Sequence, residues 1–228
     1  MKRYQELILC LTFLVVTFTC LGQNKKTNFG ASASLDLHSY IFVNNYGVFK
    51  DFVRYKGIPG YSLGFIARTK ISRKILFKYG FLYSSKKFVE VSDFNKFRAI
   101  HPDDPFLISS TPKDQKIRYA SNFLDIPLDL QLHPINEKKV TVYPLMGLNH
   151  SFRVRYSTRE ENVLQKPNDI TYNKYLLSAK VGLGVQVKKE KYALLIEPQV
   201  RFYLTEVHEQ WLTENPVFAG LEVAILKL

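Results

Sequence analysis

The chain is poor in the residues that build covalent and catalytic sites. It has two cysteines, Cys10 and Cys20, and both precede Gln23. Loss of that leading segment would leave no thiol. That excludes disulfides, thiolate metal sites and a cysteine nucleophile. No apolar run of about 18 residues follows the N-terminus, so a membrane-spanning helix is excluded there. The sequence contains no Gly-x-Ser-x-Gly, no His-Glu-x-x-His, no phosphate-cradling glycine loop and no paired-histidine spacing. The common hydrolase, zinc-protease and nucleotide-binding signatures are therefore missing. Helical periodicity is missing too, and nothing divides the chain into two domains.

What is present begins with an export signal. Lys2 and Arg3 precede the apolar run Leu7–Phe18, which has signal-peptide length rather than spanning length. Small residues at Cys20 and Gly22 place cleavage after Gly22, so residues 1–22 are the signal and 23–228 the mature domain. A lipidated Cys20 is the alternative, but Thr17-Phe18-Thr19 is a poor lipoprotein signal. An exported chain without disulfides fits a Gram-negative envelope.

The net charge is +12. The signal holds Lys2, Arg3 and Glu6, a net +1, so the mature chain keeps +11. In an exported protein this points away from nucleic acid. It points toward anionic lipid head groups or lipopolysaccharide phosphates.

Eight stretches alternate apolar and polar residues, with Ser121–Pro134 the clearest. There Leu124, Ile126, Leu128, Leu130 and Leu132 share one face, and Asp125, Asp129, Gln131 and His133 the other. The others are about Asn28–Val43, Gly60–Ile71, Ile75–Val91, Val140–Tyr156, Tyr172–Lys188, Tyr192–Val207 and Val217–Leu228. Pro127, Pro144 and Pro198 fall inside these runs, where bulges or weak pairing are expected.

A sandwich and a barrel both accommodate such alternation. The connections favour the barrel. Links Ser72–Lys74, Ile135–Lys139 and Lys189–Lys191 are short and basic. The intervening links, about Asn44–Pro59, Ser92–Lys116, Ser157–Thr171 and His208–Pro216, are long and polar. Short periplasmic turns alternating with long extracellular loops is the habit of transmembrane barrels. Several runs also reach the roughly 9–11 residues that a tilted strand needs to cross a bilayer. The expected fold is all-β, an eight-stranded antiparallel up-and-down transmembrane β-barrel.

With aliphatic faces on lipid, the polar faces converge in a narrow lumen. Asp36, His38, Lys78, Asp125, Asp129, Arg153, Lys180, Glu197, Arg201 and Glu222 are expected to form an interior polar network there. Asp125 and Asp129 would lie between strands carrying Lys78 and Arg153. Trapped water and no open pore follow. Aromatic girdles are expected from Phe29, Tyr61, Tyr83, Phe88, Tyr156, Tyr172, Tyr175, Tyr192, Phe202 and Trp211. Basic residues of the long loops, Lys50, Arg54, Lys86, Lys87, Lys96 and Arg118 among them, would ring the outer face. They would meet lipopolysaccharide or an acidic partner.

Two clusters are candidates for chemistry. His101 with Asp103 and Asp104 lies in a loop shaped by Pro102 and Pro105. His38 with Asp36 shares an inward face, as a lipid-modifying site would require. A solvated loop and a satisfied interior pair explain them as well. No catalytic residue, cofactor or metal is assigned.

Several runs are similar to one known family. Asn122-Phe-Leu-Asp-Ile-Pro-Leu-Asp-Leu resembles a characteristic strand of the PorT-like outer-membrane β-barrels of Bacteroidota. Pro144–Gly147, Gly182–Gln186 and Glu197–Tyr203 follow in that family's order. The likeness covers about Thr27 to Leu228. Asp125 stands where the family has glutamate, and the chain ends in Leu228 rather than an aromatic. The resemblance implies an eight-stranded outer-membrane barrel. It also raises a role as a component of type 9 secretion machinery.

Overall fold

The computed structural model describes residues 27–39, 53–92, 115–134, 139–161, 173–205 and 217–228. Eight strands make up these residues: β1 (Thr27–Ser39), β2 (Val53–Lys70), β3 (Ile75–Ser92), β4 (Gln115–Leu132), β5 (Val140–Glu161), β6 (Tyr175–Lys188), β7 (Tyr192–Tyr203) and β8 (Val217–Lys227). Each pairs antiparallel with its sequence neighbours, and β1 closes on β8 to complete a barrel. Closure leaves no free edge along the shared wall. The proposed signal, the His101–Asp103–Asp104 cluster, Lys50, Lys96, Tyr172 and Trp211 lie outside the described residues.

Period-two alternation decides which way side chains point. On β1, Ala31, Ala33, Leu35 and Leu37 are exposed, while Ser32, Ser34 and Asp36 are buried. On β8, Leu221, Val223 and Ile225 face outward and Glu222, Ala224 and Leu226 inward. Twenty-six large hydrophobic side chains of the described residues are exposed, Phe65 at 77 % and Leu183 at 58 % among them. A water-soluble monomer does not carry an apolar belt on that scale. Of the expected girdle residues, Phe29, Tyr61, Tyr83, Tyr175, Tyr192 and Phe202 face outward and are exposed.

The prolines sit where one ladder can be interrupted. β4 remains paired with β5 at Pro127, opposite Asn149, but its register with β3 skips Ile126 and Pro127. Pro198 stays opposite Leu221 of β8, and the β6–β7 register skips it. Each proline thus turns its missing donor to the interrupted side.

Two bulges re-aim side chains. One separates Ile58 from Tyr61 in β2. In the other, Phe123 pairs with Arg153 and Asn122 with Arg155, so Val154 is the extra residue of β5. Beyond it the alternation inverts. Arg155 becomes exposed and Tyr156 packs inward, which corrects its expected girdle position.

The wall is uneven in height. β8 has 11 residues and β7 has 12. β2, β3 and β4 have 18 each and β5 has 22. At about 3.3 Å per residue and about 40° tilt, 11 residues rise about 28 Å, close to the roughly 25 Å apolar band. Eighteen residues rise about 45 Å by the same arithmetic, so β2–β5 stand beyond the band. β2 begins at Val53 rather than near Gly60 because its polar first half pairs with β3 from Val53 to Ile58.

Candidate functional site

The barrel interior is layered. Toward the long-loop end, Ile117, Tyr119, Phe123, Leu176, Tyr203 and Phe218 form an apolar cluster, with Tyr156 against it. Tyr203 and Phe218 meet edge-on, ring centroids 4.9 Å apart. Toward the short-turn end, Ile66, Leu82, Ala193, Leu195, Ala224 and Leu226 form another, joined by Leu228. A layer of buried charge adjoins both clusters, with Arg68 and Lys78 nearer the short-turn ends of β2 and β3 than Ile66 and Leu82 are.

The centre of that charged layer is Lys78, fully buried on β3. Its Nζ contacts Glu197, Glu222 at 2.9 Å and Asp129 at 3.3 Å. Glu197 and Glu222 face each other directly across the β7–β8 pair. Two inward carboxylates side by side would repel, and the lysine reaching across the lumen holds them together. Glu197 Oε1 also accepts from Tyr143 Oη and from Gln131 Nε2, each at 2.6 Å. Glu222 Oε1 accepts from Ser32 Oγ at 2.8 Å.

Lys180 extends the layer. Its Nζ lies 2.6 Å from Asp129 Oδ2 and 3.7 Å from Glu222 Oε2. Asp129 and Lys180 sit on β4 and β6, with β5 between them. The β5 residue in that row is Gly147, opposite Asp129 on one side and Lys180 on the other. A Cβ at Gly147 would lie 2.6 Å from Leu128 O and collide with the Asp129 carboxylate. Glycine there opens the way for the ion pair to cross an intervening strand. Tyr143 makes similar use of Gly184, since its ring fills the space a side chain there would need.

A second group lies nearer the long-loop end. Lys86 Nζ is 3.2 Å from Asp125 Oδ1, 3.1 Å from Ser151 Oγ and 4.3 Å from the Phe123 ring centroid. Arg201 Nη1 is 3.3 Å from Asp36 Oδ2. The buried charges of the described residues balance. There are five cations, Arg68, Lys78, Lys86, Lys180 and Arg201, and five carboxylates, Asp36, Asp125, Asp129, Glu197 and Glu222. Among the described residues the fully buried charges therefore cancel.

Of the ten residues expected in the network, the structure brings eight into these contacts: Asp36, Lys78, Asp125, Asp129, Lys180, Glu197, Arg201 and Glu222. His38 belongs to β1 opposite Phe218, and its side chain lies outside the described set. Arg153 is a correction. It is half-buried with its guanidinium 5.6 Å from the Tyr156 ring centroid, and the partner of Asp125 is Lys86 instead. The inversion at Val154 turns Tyr156 inward beside Arg153. Lys86 is a second correction, since it points into the lumen and not into the outer ring of loop charges. Tyr143 and Gln131 join the network beyond the expected ten, although the inward parity of both is readable in the sequence. Arg68 donates from Nη1 to Gln186 Oε1 at 2.6 Å, also across the lumen.

A closed, eight-stranded antiparallel barrel with an apolar outer belt and a charge-balanced interior is a membrane β-barrel. A family model described as "Outer membrane protein beta-barrel domain" matches residues 22–205, and the chain belongs to that family. It is an outer-membrane protein. Comparison with curated protein sequences gives no match. Among solved structures, the chain is similar to Neisserial surface protein A, at 12 % identity and a TM-score of 0.42, covering 89 % of this chain and 98 % of that one. It is similar to a major outer membrane protein from Thermus thermophilus, at 10 % identity and a TM-score of 0.47, covering 89 % and 100 %. It is also similar to Ail, the attachment invasion locus protein of Yersinia pestis, at 14 % identity and a TM-score of 0.34, covering 89 % and 99 %.

Proposed function

We propose that the protein is a small, non-conducting and non-enzymatic outer-membrane barrel whose job is to hold its long basic loops at the cell surface. The loops would engage lipopolysaccharide phosphates or an acidic partner protein. The observation that carries this reading is the filling of the lumen. A conducting path would have to pass two apolar clusters and a charged layer in which four of the five buried cations, Lys78, Lys86, Lys180 and Arg201, pair with carboxylates. Ions cross such a layer only by breaking buried pairs, each of which is costly to separate. The expected result in planar bilayers is no conductance steps from the refolded chain. Reproducible single-channel steps would overturn the reading.

The PorT-like strand Asn122–Leu130 supports a second reading, in which the barrel is a component of type 9 secretion machinery in a member of the Bacteroidota. Deletion of the gene would then block release of cargo bearing the type 9 C-terminal signal. Unchanged secretion removes this role and leaves the first reading standing.

A further inference from the structure

Among the described residues, exposed positive charge gathers on the rim made by the short turns. Lys70, Arg73, Lys74, Lys139, Lys189 and Lys191 are all exposed there, while Glu190 is the one acidic side chain among the described residues of the three turns. The cations are spread over all three turns, so they form an arc around the rim rather than a cluster on one loop.

Backbone hydrogen bonds tie the described residues of the rim together, joining one turn to the next strand end. Ser72 Oγ accepts from the Lys74 and Ile75 amides and fixes the first turn. The His133 amide donates to Lys74 O at 2.7 Å, and the Lys188 amide to Lys139 O at 2.8 Å. The Lys189 amide donates to Tyr192 O at 2.8 Å, and the Leu228 amide to Lys191 O at 2.9 Å. Directly beside these cations the outward positions are apolar, with Ile71, Val140 and Tyr192 each about half exposed. The charges therefore sit at the boundary where the apolar belt ends.

We propose that this rim is a docking surface for anionic phospholipid, with the lysine and arginine side chains contacting head-group phosphates of the adjoining leaflet. A lipid is favoured over a soluble anion by position. The arc lies against the end of the belt, where head groups are held at high local concentration, and it spreads its charges around a circumference instead of gathering them into one pocket. Short turns of such barrels face the periplasm, so the leaflet is the inner, phospholipid one. The inference does not depend on what the long loops bind.

The test uses the full barrel refolded into phosphatidylcholine bilayers containing spin-labelled lipid. The fraction of motionally restricted label reports which head group the protein surface prefers. Phosphatidylglycerol is expected to be preferred over phosphatidylcholine by about threefold or more, and the preference should collapse in about 1 M salt, where screening acts within about 3 Å. Substituting Arg73, Lys74, Lys139, Lys189 and Lys191 together by glutamine should lower the preference by about twofold or more in a barrel that still folds by gel mobility. Should that variant fail to fold, the pair Lys189→Gln and Lys191→Gln must lower the preference on its own. Equal affinity for the two lipids in the native protein overturns the proposal. So does a preference that is unchanged in the substituted barrel.

Discussion

Replacing Lys78 by methionine is expected to destabilise the folded barrel by about 3–5 kcal/mol, the cost typical of stranding a buried charge partner. The lysine meets three carboxylates, Asp129, Glu197 and Glu222. Without it they remain buried, with Lys180 beside two of them. Denaturant unfolding in lipid vesicles, followed by gel mobility, measures the loss. The double variant Lys78→Met/Glu197→Gln removes one of the stranded charges, so it should lie closer to native than the two single losses added together. A coupling of about 1 kcal/mol or more is expected for residues in one ionic network. A methionine variant within about 0.5 kcal/mol of native would place Lys78 at an ordinary surface site and contradict the layered interior.

Arginine at Val181 is the second large effect. Val181 is half exposed in the middle of β6, on the outward face. In a bilayer, arginine near the midplane of a barrel costs about 2–4 kcal/mol. Were the same barrel to stand in water, the position would be ordinary solvent-facing surface, where a substitution falls within about 0.5 kcal/mol. The two situations share one fold and differ in what touches the apolar face, so this single change separates them. The expected outcome is a marked loss of stability for Val181→Arg in vesicles. An unchanged unfolding midpoint would mean that the aliphatic face is not in contact with lipid.

The architecture is legible in the sequence because its signals are local. Alternation along β4 or β6 needs only a dozen consecutive residues, and the alternation of short and long links needs only the strand positions. The facing of Lys78, Asp129, Lys180 and Glu222 also follows from parity. The partners do not. Lys78 and Glu222 are 144 positions apart and Arg201 and Asp36 are 165 apart. Lys78 and Glu222 meet across the lumen, and Arg201 reaches Asp36 past the intervening β8, because closure and strand stagger bring distant rows to one level, and no local pattern encodes that. The Val154 bulge is hidden for a related reason. One extra residue in a ladder leaves the apolar alternation intact on either side and only inverts its phase. The inward turn of Tyr156 is a consequence of that inversion, whereas Lys86 meets Asp125 along the adjacent β3–β4 pair, four positions out of register. The chain's low cysteine content is readable at once, and it is experimentally useful.

The domain after Gly22 has no cysteine, so single spin labels can be introduced without background. Labels at Val181→Cys and Leu183→Cys report directly on what contacts the outward face. The account predicts high accessibility to oxygen, which partitions into hydrocarbon, and low accessibility to a water-soluble nickel chelate at both positions in the refolded barrel. High accessibility to the chelate at both would place that face in water and contradict the membrane barrel.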